Sequence, residues 1–125
     1  MLQLILHLFG DFVIQNDNVG LRKKEKSLTG LVYCIFHCIT YSIPFLLITN
    51  WKSCILIAIG HFLIDRWNFV GYFNKTKNFV KTLENFGCKP ERPFAITIWL
   101  YIITDNTFHL IWNYGVIWIA FNNYF

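Results

Sequence analysis

The sequence predicts an all-α protein, an integral membrane four-helix bundle with a short first helix and both termini on the outer side. Three observations carry that expectation: long apolar stretches, basic residues gathered in two of the loops, and polar side chains repeated at helical spacing inside the apolar stretches. With 55% hydrophobic and 14% charged residues in a chain of 125, and a mean hydropathy of +0.43, the chain is more apolar than a soluble domain of its size. No linker, repeat or low-complexity tract divides it, so residues 1–125 read as one membrane domain.

The helices are expected at about 2–15, 28–49, 54–73 and 94–121. The last three are near or above the roughly 20 residues that cross a hydrocarbon core. The first is shorter, and lacks both a basic leader and a small-residue cleavage site, so it reads as a retained helix. Pro44 should bend the outer end of the second helix. Asp17 to Ser27 reads as a polar connection and Asn50 to Ser53 as a tight turn. Within the longer loop Asn74 to Pro93, the stretch from Lys77 to Phe86 has the composition of an interfacial helix.

Charge sets the orientation. Arg22, Lys23, Lys24 and Lys26 lie in one loop, Lys75, Lys77, Lys81, Lys89 and Arg92 in another, while the link between the second and third helices carries only Lys52. The positive-inside rule puts the two basic loops in the cytoplasm and both termini outside. Arg66, near the inner end of the third helix, should snorkel to the headgroups. The net charge of +4 then belongs to loops beside anionic lipid, and nothing in the pattern suggests nucleic acid. Cys34, Cys38 and His37 crowd too closely along one helix to enclose a soft metal well, and a disulfide framework is not expected. The cysteines read as small apolar side chains.

The chemistry lies in three pairs four residues apart, His7 with Asp11, His61 with Asp65 and Asp105 with His109, and in a lone His37. Four residues are about one helical turn, so each pair shares a face. Within each helix the polar residues follow a stripe: Gln3, His7, Asp11 and Gln15; Tyr33, His37, Thr40 and Tyr41; His61, Asp65 and Asn68; Thr97, Tyr101, Asp105, His109 and Asn113. A lipid-facing aspartate costs roughly 2.5 to 3.5 kcal/mol, so these stripes should turn inward. Counted from the cytoplasmic ends, His37, Asp65, His7 and Asp105 fall at roughly 12 to 17 Å depth, and the stripes can meet.

A single buried His–Asp pair is more often a hydrogen-bonded packing device than a ligand pair. Three pairs at one spacing and one level, using every histidine but one, point to a shared site. Imidazole and carboxylate form the ligand set of divalent zinc, manganese or iron, and the candidate ligands His7, Asp11, His37, His61, Asp65, Asp105 and His109 suffice for one ion or two. Among them Asp11, Asp65 and Asp105 are also candidate catalytic groups. Gln15, Lys23, Lys24, Asn68, Tyr101 and Asn106 would support the ligands or orient substrate, and Lys23, Lys24 and Arg92 would draw an anionic headgroup to the mouth.

The segments HLFGDFVIQ (7–15), the basic stretch at Arg22 to Lys26, a histidine in the next helix, HFLID (61–65) and DNTFH (105–109) together resemble an uncharacterised family of small polytopic proteins of bacteria and tailed phages. The resemblance spans most of the chain. It implies His7, Asp11, Gln15, His37, His61, Asp65, Asp105 and His109 as site residues, with Lys23 or Lys24 as the family's lysine, and Asn106 replacing its usual glutamine. More distantly the chain is similar to membrane-bound metal-dependent hydrolases of bacterial inner membranes.

These readings converge on a membrane-embedded, divalent-metal-dependent hydrolase of a phosphoester or acyl ester, in a lipid or at the membrane surface. Two other classes compete: a metal-ion or proton transporter, which needs a polar route to the outer face, and a non-enzymatic phage factor that binds a host membrane protein. Abundant Ile, Phe, Asn and Lys fit an AT-rich genome such as a phage's, and the resemblance implies a location in the bacterial inner membrane. The short first helix favours a homo-oligomer that covers the polar stripe.

Overall fold

The computed structural model describes residues 1–122, which are helical with no strand among them. Helix α1 (Leu2–Leu8) continues into a π-helical turn, Phe9–Ile14; α2 (Asp17–Arg22) and α3 (Leu28–Ser42) follow, the latter extended by a 3-10 segment, Ile43–Leu47. Helix α4 (Trp51–Arg66) leads into α5 (Phe69–Lys77), and α6 (Phe94–Phe121) closes the chain after a short 3-10 turn at Glu84–Gly87.

Local chemistry accounts for the starts. Asn16, Ser27 and Asn50 each accept a hydrogen bond from the backbone N–H three residues on, at 3.0, 3.0 and 2.9 Å, the N-cap arrangement that satisfies an otherwise orphaned donor. Asn50 to Ser53, expected as a tight turn, is therefore the cap and first turn of α4. The polar connection after the first helix likewise contains α2, nucleated by Asn16.

Two helices differ from their expected extents. Pro44 occupies the first turn of the 3-10 segment, so the second span tightens where its ring forbids an α-helical bond. The third is broken: Asn68 takes a left-handed conformation (φ 50°, ψ 42°), and α4 and α5 meet at 57°. Asparagine tolerates that conformation better than most residues, which lets the chain turn here without glycine. The interfacial helix expected from Lys77 to Phe86 does not form. Phe79, Asn85 and Phe86 all have positive φ, which stops helix propagation between α5 and α6.

Leu28–Leu47 and Phe94–Phe121 are long and apolar enough to cross a membrane, and Trp51–Arg66 with Phe69–Lys77 makes a third crossing if the bent pair counts as one. The distribution of side chains agrees with an apolar solvent. Leu28, Leu47, Trp99 and Phe121 are 78, 77, 67 and 73% exposed, while His7, His37, His61 and His109 are at most 1% exposed. Water would reverse that order.

A small apolar core of Leu6, Tyr41, Phe45, Cys54, Ile57, Val116 and Ile117 joins α1, α3, α4 and α6 at the end away from the basic loops. Close approach of α4 and α6 depends on Gly60. The Trp112 indole lies over it, where a Cβ would collide, and donates its N–H to the Leu56 carbonyl at 2.9 Å.

Candidate metal centre

The four polar stripes meet, but their shortest contacts run between helices. Within helices, His7–Asp11, His61–Asp65 and Asp105–His109 stand 3.5, 3.4 and 3.6 Å apart. Between helices, Asp11 Oδ1 lies 3.1 Å from His37 Nε2 and 3.4 Å from His61 Nε2. The two Nε2 atoms face each other at 2.8 Å, and Asp65 Oδ2 sits 3.4 and 3.7 Å from His61 and His37. Asp11 reaches this centre from the π-helical turn. That turn packs its Gly10 against the Tyr41 ring, which leaves no room for a Cβ. π-helical turns of this kind recur at functional sites.

Hydrogen bonding fixes which nitrogen of His109 is available. His109 Nδ1 lies 2.9 Å from the Asp105 carbonyl; a carbonyl only accepts, so Nδ1 carries the hydrogen and Nε2 presents its lone pair. That lone pair points toward Asp65 Oδ1 at 3.8 Å and has no hydrogen-bond partner. Asp11 Oδ1 and Asp65 Oδ2 are likewise buried without a partner of good hydrogen-bond geometry. Lone pairs facing carboxylate oxygens repel unless a cation stands between them.

Two overlapping triads have that character: Asp11, His37 and His61, and His61, Asp65 and His109, each offering ligand atoms within 4.8 Å of one another. Ligands about 2.0 to 2.2 Å from a tetrahedral ion stand roughly 3.3 Å apart. The first triad's separations of 2.8, 3.1 and 3.4 Å bracket that value. The donor set fits a divalent ion such as zinc.

His7 is placed differently from expectation. Asn106 uses its Nδ2 on the Ile102 carbonyl at 2.7 Å, leaving Oδ1 to accept from His7 Nε2 at 2.6 Å. His7 Nδ1 then accepts from the Tyr41 hydroxyl at 2.7 Å, and that hydroxyl accepts from Asn113 at 2.7 Å. With both ring nitrogens engaged, His7 anchors the network instead of offering a lone pair to an ion. Tyr41 and Asn113 were visible in the polar stripes, yet nothing in the spacing marked them as the link between α1, α3 and α6.

Of the two candidate lysines, Lys23 goes inside. Its Nζ lies 2.6 Å from Asp65 Oδ2, both side chains nearly buried. Lys24 donates to Tyr101 Oη at 3.2 Å, and Tyr101 donates to Asn68 Oδ1 at 3.0 Å. Partial desolvation would lower the Lys24 pKa, but Tyr101 and the carboxylates of Asp65 and Asp105 outweigh it and raise the value. Arg66, expected to snorkel, instead donates to the carbonyls of Lys23 and Glu25, tying the basic loop to α4. Arg92 turns toward Cys88 Sγ at 3.8 Å and does not line the mouth.

The mouth itself is a cavity of about 200 Å³ bordered by Asp11, Gln15, Lys23, Lys24, Tyr101, Asp105 and Asn106. Asp105 belongs to neither triad and is half-buried on this cavity. The geometry thus defines a class: helical proteins with apolar exteriors and an inward-facing imidazole–carboxylate centre that opens beside a basic loop. Over residues 1–121 the chain matches the family described as Protein of unknown function (DUF3307), and it belongs to that family. No curated protein and no solved structure matches it.

Proposed function

We propose that this chain is an integral membrane hydrolase that uses a divalent metal to cleave a phosphoester or acyl ester of a lipid or membrane-surface substrate. In this reading Leu2–Ile14, Leu28–Leu47, the bent pair Trp51–Lys77 and Phe94–Phe121 form a four-helix membrane bundle. Both termini lie outside, the basic loops face the cytoplasm, and the host membrane is a bacterial inner membrane, with the chain phage-encoded. The single observation that carries the reading is the convergence of buried ligand atoms on His37 and His61, with Asp11 Oδ1 and His109 Nε2 unpartnered and Asp65 Oδ2 balanced only by Lys23.

The shared residue favours one ion. His61 offers a single Nε2 lone pair to both triads, and Lys23 already supplies a positive charge beside Asp65. An ion held there would provide Lewis acidity and lower the pKa of a bound water toward neutrality. The protein's own groups do the rest. Asp11, His37 and His61 hold the ion, with Asp65 and His109 as the adjoining ligands. Asp105, free of the triads and facing the cavity, would accept a proton from the attacking water and return it to the leaving oxygen as the ester bond breaks. Lys24 and Gln15 orient the substrate, and Tyr101 and Asn68 hold Lys24.

A hydrolase is favoured over a transporter because the cavity beside the cluster is bordered by residues of the basic end, while Phe45, Ile57, Val116 and Ile117 pack the other end beyond the Tyr41–Asn113 hydrogen bond. A transported ion needs a polar route through that half. The test is metal analysis of detergent-purified protein beside His61→Ala and Asp105→Asn, with turnover on lipid phosphoesters and acyl esters. Stoichiometric ion, lost in His61→Ala and kept in a turnover-dead Asp105→Asn, supports the proposal. A wild-type chain that binds no zinc, manganese or iron on titration overturns it.

A further inference from the structure

A second, larger cavity of about 570 Å³ adjoins the mouth. The two share Lys24 and Tyr101 as a common wall, and Asp65 of the metal centre lines the larger one. Its size falls within the range of small-molecule sites. Its cations are Lys24, Lys26 and Arg66. Its only carboxylate, Asp65, is already paired with Lys23 at 2.6 Å. Glu25 and Glu84, the acids flanking the cavity in sequence, take hydrogen bonds from Ser27 at 3.3 Å and Thr82 at 3.5 Å and do not line it. Arg66 is held by two backbone carbonyls, which fix the guanidinium without cancelling its charge.

Cations in a concave site whose one carboxylate is already paired with another cation attract anions, and charge-assisted hydrogen bonds from lysine and arginine suit phosphate oxygens. The cavity also lies where the exposed apolar helices end at the basic loop, the level of lipid headgroups. Trp67 and Tyr72 on its rim are 65 and 55% exposed, as aromatic side chains at a membrane interface are.

We infer that this cavity is the headgroup subsite of the enzyme proposed above, and that the substrate is a lipid with a phosphomonoester headgroup, its dianionic phosphate bound by Lys24, Lys26 and Arg66. The bond to be cleaved lies across the Lys24–Tyr101 wall, at the imidazole–carboxylate centre. The inference rests on the hydrolase reading for its chemistry but not for its measurement, because the phosphate contacts require no metal.

Binding is measured on the full chain in phosphatidylcholine nanodiscs with a chelator present, using dihexanoyl phosphatidic acid, dihexanoyl phosphatidylcholine and inorganic phosphate as probes. Metal content is assayed separately on unchelated protein, so failure of the metal reading and failure of this one are told apart. Phosphatidic acid should bind more tightly than the other two, and Lys26→Glu should weaken it roughly tenfold or more, as for loss of one charged hydrogen bond. Lys77→Glu makes the same charge change on an exposed residue outside the cavity and should leave binding intact. Equal binding of phosphatidylcholine overturns the inference, and so does equal weakening by Lys77→Glu, which would reduce the effect to surface charge. Inorganic phosphate binding as tightly as the lipid would identify a free-phosphate site and overturn the lipid assignment.

Discussion

The same helices serve opposite purposes at their two ends. Toward the basic loops, α3, α4 and α6 bring together His37, His61, Asp65 and His109, whose polar atoms outnumber their hydrogen-bond partners. Toward the other end, the same three helices, with Phe45 of the 3-10 segment that extends α3, contribute Tyr41, Ile57, Val116 and Ile117 to an apolar core. One end is strained by unmatched acceptors and the other is packed mostly without them. Five of the residues with unpartnered buried atoms, Asp11, His37, His61, Asp65 and His109, belong to the imidazole–carboxylate cluster, whereas Thr49 lies near the packed end. Buried polar atoms that served only to lock the bundle would be satisfied.

The largest expected effect comes from cutting the charged end. Asp65→Asn should abolish retained metal and leave the Lys23 ammonium buried without its counter-ion, at a cost of about 3 kcal/mol, read as metal per chain and as the unfolding midpoint in detergent. The double variant Lys23→Met with Asp65→Leu should recover most of that stability and none of the metal. Recovery of metal in the double variant would break the contrast between the ends.

At the packed end, Ile57→Ala should cost about 2 kcal/mol through an unfilled cavity, near the low end for such truncations because lipid is itself apolar. Metal content should stay at the wild-type level. Loss of metal there would mean that the core positions the ligands directly.

The smallest and most diagnostic change is at the boundary. Tyr41 stacks on His61 with ring centroids 3.8 Å apart, while its hydroxyl joins His7 to Asn113. Tyr41→Phe keeps the ring and removes the hydroxyl, so stability should fall by about 1 to 2 kcal/mol. Metal affinity should drop roughly tenfold, the scale of a lost supporting contact. An unchanged affinity measured by chelator competition would place the His7 network outside the site.

The sequence showed which residues would gather and missed how they pair. Helical spacing made His7–Asp11, His61–Asp65 and Asp105–His109 legible because side chains four apart share a face. It could not show that Asp11 lies closest to His37, because that contact depends on the π-helical turn at Phe9–Ile14 packing against α3. The broken third span was hidden for a related reason. Trp67 and Asn68 fit an apolar helix by composition, and only the Asn68 hydrogen bond to Tyr101 and its left-handed backbone reveal the turn. Choosing between Lys23 and Lys24 required knowing which side of α2 faces the bundle. Adjacent residues on a helix end point about 100° apart, and loop composition carries no such angle.

Lys23 has a consequence for assembly. Because its ammonium sits against Asp65, the newly made chain carries its own stand-in for part of the charge that an ion would provide. The pair forms within a single polypeptide, so neither charge is left isolated among the apolar helices, and the folding of this end needs no outside counter-charge for Asp65.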